Sequence, residues 1–244
     1  MRRFTLQPEQ VAGGRVTFDA GESRHLARVL RLRPGDTVVA TDGAGRDYTV
    51  RLESLGDTAV GTVIGEAAGV AASPMAITLI QGVPKGDKME AIVRAVTELG
   101  VASVQPALCE RTIVRLEAPR WRDRARRWQR VAREAAKQSG RAVIPEVESP
   151  RPLGDWLAAG ARADLALCMW EGEGARLKSV LATPGSPRSA RVLVGPEGGL
   201  AGEEVERARA HGLTVVSLGS RILRTETAGP AIVAILQSRF GDLG

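Results

Sequence analysis

The chain has 244 residues, 43% of them hydrophobic, and a formal net charge of +6, and its length suffices for one large domain or for two smaller ones with a core each. Cys109 and Cys168 belong to no CxxC or Cys/His cluster, so the sequence predicts neither a disulfide framework nor a metal site. No apolar run reaches the length of a membrane span, and the first residues lack the apolar core of a signal peptide, so we expect a soluble, cytoplasmic protein.

The positive charge is concentrated in one central segment. Residues 1–75 hold nine basic and nine acidic residues, residues 85–145 hold fourteen and seven, and residues 146–244 hold eleven and twelve. A local excess of positive charge is typical of proteins that bind a polyanion such as RNA. A solvated Arg-rich surface is the alternative, because only four of the 34 basic residues are lysine. The chain has only eight aromatic residues, so we expect phosphate contacts rather than base stacking.

The first part of the chain carries the pattern of a small β-barrel. Short β-like segments alternate from residue 15 to residue 66, with turn signals at Asp42-Gly43 and at Gly56-Asp57. One helix is predicted within this region, at residues 22–32, where it meets Pro34-Gly35.

A change of pattern marks a domain boundary. Residues 67–74 (AAGVAASP) are small and aperiodic, which predicts a linker. We therefore predict a β-barrel domain at residues 1–70 and a second domain at residues 75–244. The second domain opens with a continuous apolar strand at 75–83 and an amphipathic helix at 86–100.

The alternation of strand and helix continues to the end of the chain. Further strands are predicted at 101–108, 163–170, 191–196 and 213–219, and helices at 120–140, between 170 and 191, at 203–212 and up to Phe240. This order is typical of an α/β fold with a mostly parallel sheet. Because proline is tolerated in the first turn of a helix, Pro230 predicts that the last helix begins near Thr227, with Thr227 as its N-cap.

The Arg-rich helix at 120–140 has two distinct faces. Residues at helical spacing are predicted to face the core: Trp121, Ala125, Trp128, Ala132 and Ala135. A basic ridge lies elsewhere on the helix: Arg122, Arg126, Arg130, Arg133 and Lys137. We predict that the ridge faces RNA, and a solvated face is the alternative.

Two glycine-marked loops follow predicted strands. GPEGG, at 195–199, follows one strand, and SLGSRILRTET, at 217–227, follows another. Open α/β sheets bind ligands at the carboxyl ends of their strands, so the two loops can form one pocket. The chain has no GxGxxG, P-loop, GxSxG or HExxH pattern, which disfavours common dinucleotide enzymes, P-loop NTPases and hydrolases. An ordinary tight turn is the alternative for GPEGG alone.

Charged residues interrupt two apolar elements in the second loop. Arg224 and Glu226 stand between a strand and a helix, where charged groups need a partner. Either they pair with each other near the surface, or they face a ligand beside the exposed N–H groups of the helix.

Four segments together resemble the RsmE family of SPOUT-class methyltransferases. They are PKGDKME at 84–90, AREAAKQSGR at 132–141, VGPEGG at 194–199 and SLGSRILRTETA at 217–228, in the order of the family. The resemblance implies methylation of N3 of a uridine in 16S ribosomal RNA of the small subunit, with S-adenosylmethionine as the methyl donor. It also implies a homodimer, a PUA-like first domain and a C-terminal trefoil knot.

The same resemblance assigns residues to the site. The residues expected to hold S-adenosylmethionine are Leu193, Gly195, Glu197, Gly198, Leu218, Gly219, Ile222, Leu223, Thr227 and Ala228. Arg224 is the candidate that stabilises the uridine anion, and Glu226 is either the proton acceptor or an anchor for Arg224. Gln138, Ser139 and Arg141 are assigned to the RNA-facing rim.

Two other functions remain open on the sequence. The same fold could transfer the methyl group to a ribose 2′-oxygen or to another base, because knot motifs define the cofactor site better than the acceptor. The chain could also be a basic, nonenzymatic ribosome-binding factor with a disused pocket.

Overall fold

The computed structural model describes residues 3–160, 162–182 and 185–244, and for Pro8 it describes the backbone only. The chain forms two units. The first consists of Met1–Ala72 and Arg133–Ile144, and the second of Ser73–Ala132 and Pro145–Gly244. The sequence did not predict that residues 133–144 would belong with the first unit.

Within the described residues, six strands of the first unit form one curled sheet in the order β1-β4-β5-β6-β3-β2. They are β1 (Arg3–Thr5), β2 (Val11–Ala12), β3 (Arg15–Thr17), β4 (Thr37–Thr41), β5 (Arg46–Ser54) and β6 (Val60–Ala68). All pairings in this sheet are antiparallel except β1 with β4. Strand β6 extends to Ala68, so the first two residues of the predicted linker are strand.

A short helix covers one end of this sheet. Helix α1 (Ala20–Arg24) begins after Asp19, whose carboxylate accepts hydrogen bonds from the N–H groups of Gly21 and Glu22, both at 2.8 Å. A π-helical turn, His25–Val29, continues it, so the predicted helix at 22–32 begins earlier and ends earlier than expected.

The second unit is an α/β structure whose sheet has eight strands in the described part of the chain. The order is β10-β8-β7-β13-β11-β14-β12, with β9 paired to β8, and each of these pairings is parallel. The strands are β7 (Ala76–Gly82), β8 (Ser103–Leu108), β9 (Glu146–Val147), β10 (Arg151–Pro152), β11 (Leu165–Met169), β12 (Ala175–Arg176), β13 (Ser189–Val194) and β14 (Thr214–Ser217). The predicted α/β fold with a mostly parallel sheet is confirmed.

Helices flank this sheet. They are α2 (Lys88–Glu98), the part of α3 (Ala118–Ser139) that precedes Arg133, α4 (Leu153–Ala159), α5 (Leu177–Leu181), α6 (Gly202–Ala210) and α7 (Thr225–Phe240). Strand β7 is apolar because it is buried on both faces: Ile77, Leu79 and Ile80 have no exposed surface. The five residues predicted for the core face of α3 are all buried, which confirms that face.

The last helix begins earlier than the sequence predicted. Its first residue is Thr225, and Arg224 is the N-cap residue, whose carbonyl accepts from the N–H groups of Thr227 and Ala228 at 2.8 Å. The prediction that Thr227 caps the helix is therefore wrong. Pro230 lies inside the helix, at its sixth residue, where its missing N–H leaves the carbonyl of Glu226 without its usual helical donor. Tertiary contacts of Thr225, described below, hold this first turn in place.

No helix among the described residues is long and apolar enough to cross a membrane.

Candidate functional site

A cavity of about 450 Å³ lies at the carboxyl edge of the second unit's sheet. Its walls come from the loop after β13, the loop after β14, the segment after β11 and the start of α7. The two glycine-marked loops thus line one pocket, as predicted, because β11 lies between β13 and β14 and the three strands run parallel.

Two glycines allow the loop after β13 to pack tightly. A Cβ atom at Gly82, the last residue of β7, would lie 2.5 Å from Pro196 Cδ, so the strand end needs glycine for this loop to pass. Gly199 has a φ of +70°, and a Cβ atom there would lie 2.5 Å from Glu171 Oε1. The loop therefore reaches its position only with these small residues.

A buried amide ties three segments together behind the cavity. Gln81 has no exposed surface, and its Nε2 donates to Thr225 Oγ1 at 2.9 Å and to the carbonyl of Gly82 at 3.0 Å. Thr225 Oγ1 in turn donates to the carbonyl of Gly195 at 2.7 Å. The end of β7, the loop after β13 and the first turn of α7 are thereby held in one arrangement.

Lys88 bridges two carboxylates at the rim of the cavity. Its Nζ lies 3.1 Å from Glu197 Oε1 and 3.5 Å from Glu226 Oε2. The backbone N–H of Lys85 also donates to Glu197, at 3.2 Å to Oε1. Glu226 Oε2 is buried and accepts no hydrogen bond from the described residues, so the longer ion pair with Lys88 is its contact. That oxygen retains the capacity to accept a proton or a hydrogen bond from a ligand.

These contacts favour the charged forms of the bridge. The hydrogen bond with Glu197 raises the pKa of Lys88, against the smaller opposing effect of burial. Burial pushes the pKa of Glu197 upward, but hydrogen bonds from its own backbone N–H, from Lys88 and from the N–H of Lys85 together lower it. The Lys88 ammonium group and the Glu197 carboxylate are therefore both charged near neutral pH.

Most of the residues predicted for the site meet at the cavity. Both predicted catalytic residues, Arg224 and Glu226, line it. So do seven of the ten residues predicted to hold the cofactor: Gly195, Glu197, Leu218, Gly219, Ile222, Leu223 and Ala228.

Three predicted cofactor residues are not part of the cavity wall. Leu193, in β13, is fully buried in the hydrophobic core, and Thr227, in α7, is exposed. Gly198 faces Arg111 instead: Arg111 Nη1 donates to the carbonyl of Gly198 at 2.9 Å, and a Cβ atom at Gly198 would lie 3.1 Å from Arg111 Cβ. The small size of Gly198 thus accommodates a protein side chain.

Sequence reasoning missed three parts of the site. It did not assign a role to Gln81, although a glutamine in a continuous apolar strand must find partners. Lys88 was noticed only within the PKGDKME segment. The segment Met169–Glu171 lines the cavity because β11 lies between the two predicted strands, and strand order cannot be read from a single sequence.

The predicted RNA-facing residues differ in how far their side chains are exposed to solvent. Arg122, Arg126 and Arg130 are exposed on α3, and Arg126 Nη2 pairs with Asp123 at 2.6 Å. Gln138 and Ser139 are also exposed, whereas Arg133 and Arg141 are half-buried.

Lys137 forms an ion pair with Glu22 within the first unit. Its side chain is 11% exposed, its Nζ lies 2.7 Å from each carboxylate oxygen of Glu22, and it stands 5.0 Å from the centre of the Phe4 ring. This part-buried ion pair neutralises the charge that a phosphate contact would need. This placement gives Lys137 a structural role.

The two cysteines are unsuited to nucleophilic catalysis. Both are buried, as expected, and burial raises the pKa of both thiols, that of Cys168 to about 12. Within the described residues, no group of three or more His, Cys, Asp or Glu side chains could hold a metal ion.

The chain matches two family models. Residues 71–237 match an RNA methyltransferase domain, and residues 18–63 match an RNA methyltransferase PUA domain. The fold and the cavity, together with these matches, define an RNA methyltransferase preceded by a PUA-like domain.

Named relatives narrow the class to one family. The chain is 35% identical to a ribosomal RNA small subunit methyltransferase E from a Synechocystis species, over 95% of this chain and 76% of the relative. It is 30% identical to the enzyme of the same name from Bacillus subtilis, over 85% and 83%. The chain belongs to the ribosomal RNA small subunit methyltransferase E family, which confirms the resemblance to RsmE.

Solved structures agree with this assignment. A ribosomal RNA small subunit methyltransferase E from Neisseria gonorrhoeae, bound to S-adenosylmethionine, has a TM-score of 0.89 and 35% identity, with complete coverage of both chains. A methyltransferase from Legionella pneumophila, also in complex with this cofactor, has a TM-score of 0.90 and 28% identity, covering 99% of this chain and 98% of that one.

Proposed function

We propose that the protein transfers a methyl group from S-adenosylmethionine to N3 of a uridine in 16S ribosomal RNA of the small ribosomal subunit. The observation that carries this proposal is that two glycine-marked loops and the charged residues Arg224 and Glu226 line the same cavity. The names of the relatives support a ribosomal RNA substrate, and the ligand of the two solved structures supports the cofactor.

The cavity fits this cofactor in size and in chemistry. Its volume of about 450 Å³ lies within the range of small-molecule sites, roughly 300–1,000 Å³. Gly195 and Gly219 offer backbone groups for hydrogen bonds, and Leu218 and Leu223 offer apolar surface for an adenine ring. The carboxylates of Glu197 and Glu226 complement a positively charged sulfonium.

When bound, S-adenosylmethionine supplies a methyl group that its sulfonium already activates, so the protein's main tasks are orientation and proton removal. Uridine N3 is a poor nucleophile until its imide proton leaves. The Arg224 guanidinium, at the N-cap of α7, would stabilise the resulting anion at O2 or O4. Glu226 Oε2, buried and without a hydrogen-bond donor among the described residues, would accept the proton.

Further expectations from the resemblance belong to the same proposal. We infer that the enzyme acts in the cytoplasm as a homodimer and that its C-terminal segment forms a trefoil knot. The contact of Thr225 with the carbonyl of Gly195 supports a closely wound C-terminal segment. The exposed Arg122, Arg126 and Arg130 support an RNA-facing surface on α3, and the match of residues 18–63 supports a role for the first domain in RNA binding.

Methyl transfer to a defined RNA tests the proposed function. The purified protein is incubated with S-adenosylmethionine carrying a labelled methyl group and with small-subunit ribosomal RNA or particles from cells that lack this modification. We expect 3-methyluridine in the nucleoside digest. Label on a ribose oxygen or on another base would overturn the N3 assignment, and absence of label from both substrates would overturn the enzymatic function.

A further inference from the structure

A second cavity, of about 440 Å³, lies at the amino edge of the same sheet. Strand β13 separates it from the first cavity: Ser189 to Arg191 line the second cavity, whereas Val194, at the other end of the strand, lines the first. The second cavity is therefore lined neither by the glycine-marked loops nor by Arg224 and Glu226 of the proposed methyl-transfer site.

A buried arginine points to a ligand at this edge. Arg191 is 8% exposed, and its Nη2 donates to the carbonyl of Trp156 at 2.7 Å. No carboxylate of the described residues forms an ion pair with it. Burial lowers the pKa of its guanidinium, with no acidic neighbour to offset the effect. A buried charge without a counter-charge costs several kcal/mol or so, which an anion in the cavity would offset.

The guanidinium of Arg191 lies close against the backbone at Gly160. A Cβ atom at Gly160, just after α4, would lie 1.9 Å from Arg191 Cζ. Any other residue at position 160 would push the guanidinium out of its place. Glycine at this point therefore preserves the buried position of the charge.

The remaining charges of the cavity wall are mostly positive. Arg151 and Arg162 line the cavity with Arg191, whereas Glu148 is the one carboxylate among its described lining residues. Glu148 is already engaged, since its Oε2 lies 3.3 Å from Arg151 Nη2 and its Oε1 accepts from Gln105 at 3.0 Å. Arg151 also lies 4.5 Å from the Trp156 ring centre, which fixes its orientation.

We propose that this second cavity binds a phosphate group, with Arg191 as its buried anchor and Arg162 as an exposed second contact. A planar guanidinium presents parallel N–H donors that match the oxygens of a phosphate group. The phosphate group belongs either to an RNA backbone or to a free phosphate compound, and both present the same oxygens to Arg191.

Thermal unfolding with inorganic phosphate tests the site. We expect sodium phosphate to raise the Tm of the wild-type protein above its value in sodium chloride at the same ionic strength. Arg191→Met should lose this phosphate-dependent rise. Its own Tm in chloride should be unchanged or higher, because an apolar chain replaces an uncompensated buried charge. Equal phosphate responses in the two proteins, or no response in either, would overturn the proposal.

Two further variants keep the test independent of changes in folding. Arg162→Gln removes an exposed contact, so its Tm in chloride should match the wild type while its phosphate affinity falls about threefold to tenfold, as expected for one lost charge-assisted contact. Arg207→Gln, an exposed arginine outside the cavity, should bind phosphate like the wild type. An unchanged affinity in Arg162→Gln would contradict the role of that residue.

A second titration distinguishes the sources of the phosphate group. The wild type and Arg191→Met are titrated with a short single-stranded RNA that lacks a terminal phosphate. Weaker RNA binding by the variant would identify an RNA backbone phosphate as the ligand. Equal RNA binding, with inorganic phosphate binding lost, would identify a free phosphate compound.

Discussion

Lys88 Nζ lies 3.5 Å from Glu226 Oε2, although Lys88 begins α2 and Glu226 lies in the first turn of α7. The same ammonium group lies 3.1 Å from Glu197 Oε1, in the loop after β13. Three segments that are distant in sequence therefore share one cation at the rim of the cavity. This arrangement holds the Glu226 carboxylate at the cavity, as its proposed role as proton acceptor requires.

Replacing this cation should impair turnover more than cofactor binding. In Lys88→Met, Glu226 loses its only described ion-pair partner, and we expect kcat to fall about 10-fold to 100-fold, which is part of the roughly 10²–10⁴-fold that a positioned general base contributes. Lys88→Arg should restore much of the rate. Steady-state methyl transfer and calorimetry with S-adenosylmethionine provide the two readouts. The exposed Lys178→Met serves as the control, and an unchanged kcat in Lys88→Met would contradict the assigned role.

Arg224→Ala should strongly reduce methyl transfer and leave cofactor affinity nearly intact. The guanidinium stabilises charge that develops only in the transition state, so its removal should cost about 10²–10³ in kcat. Arg239→Ala, an exposed change on the same helix, is the matched control. Turnover of Arg224→Ala at the wild-type rate would remove the assignment.

The contribution of Glu197 to stability should depend on pH. Its pKa is lowered in the folded protein relative to the ordinary value of 4.5, so its stabilising effect is present above that value and is lost as pH falls through the folded pKa. The difference in unfolding free energy between the wild type and Glu197→Gln should be constant near neutral pH and should shrink below about pH 4.5. Urea unfolding across this range measures it. A difference that does not change with pH would refute the ionic account.

Gln81→Leu should destabilise the second unit. The substitution removes the donor to Thr225 Oγ1 and to the buried carbonyl of Gly82, which should cost about 1–3 kcal/mol. Urea unfolding gives the free energy, and the exposed Gln138→Leu is the control. A Gln81→Leu variant as stable as the wild type would show that this amide does not stabilise the contact between the end of β7 and the first turn of α7.

The arginines of α3 should contribute to the salt dependence of RNA binding, and Lys137 should not. Replacing Arg122, Arg126 and Arg130 by glutamine should reduce the slope of log affinity against log salt by about two to three. Lys137→Met should leave the slope unchanged and lower stability, since Lys137 pairs with Glu22 at 2.7 Å. Fluorescence anisotropy at several salt concentrations measures the slopes. A triple variant with the wild-type slope would show that these three arginines are solvated and do not contact RNA phosphates.

The sequence predicted five strands and five helices of the second unit, because long parallel strands and amphipathic helices carry clear periodicities, but it did not predict helix α4 or the two-residue strands β9, β10 and β12. It placed the two loops at one sheet edge for the same reason. The position of Pro230 predicts that α7 begins near Thr227, whereas the hydrogen bonds of Thr225 hold the helix start two residues earlier.

Other features depend on contacts that only the folded chain reveals. The wall formed by Met169 to Glu171 follows from the position of β11 between β13 and β14. The pairing of Lys137 with Glu22 joins residues far apart in the chain, so a helical pattern alone placed Lys137 on the basic ridge. Charge spacing along a helix does not distinguish a solvated lysine from a part-buried lysine that is paired with a carboxylate.

Calorimetric titration of the folded wild-type protein with S-adenosylmethionine tests most directly whether the cavity between the two glycine-marked loops holds the methyl donor. We expect saturable binding at one site per chain, and the same affinity in Arg224→Ala. Heat that stays at the level of dilution, both without RNA and with small-subunit ribosomal RNA, would contradict the proposal that this cavity serves methyl transfer.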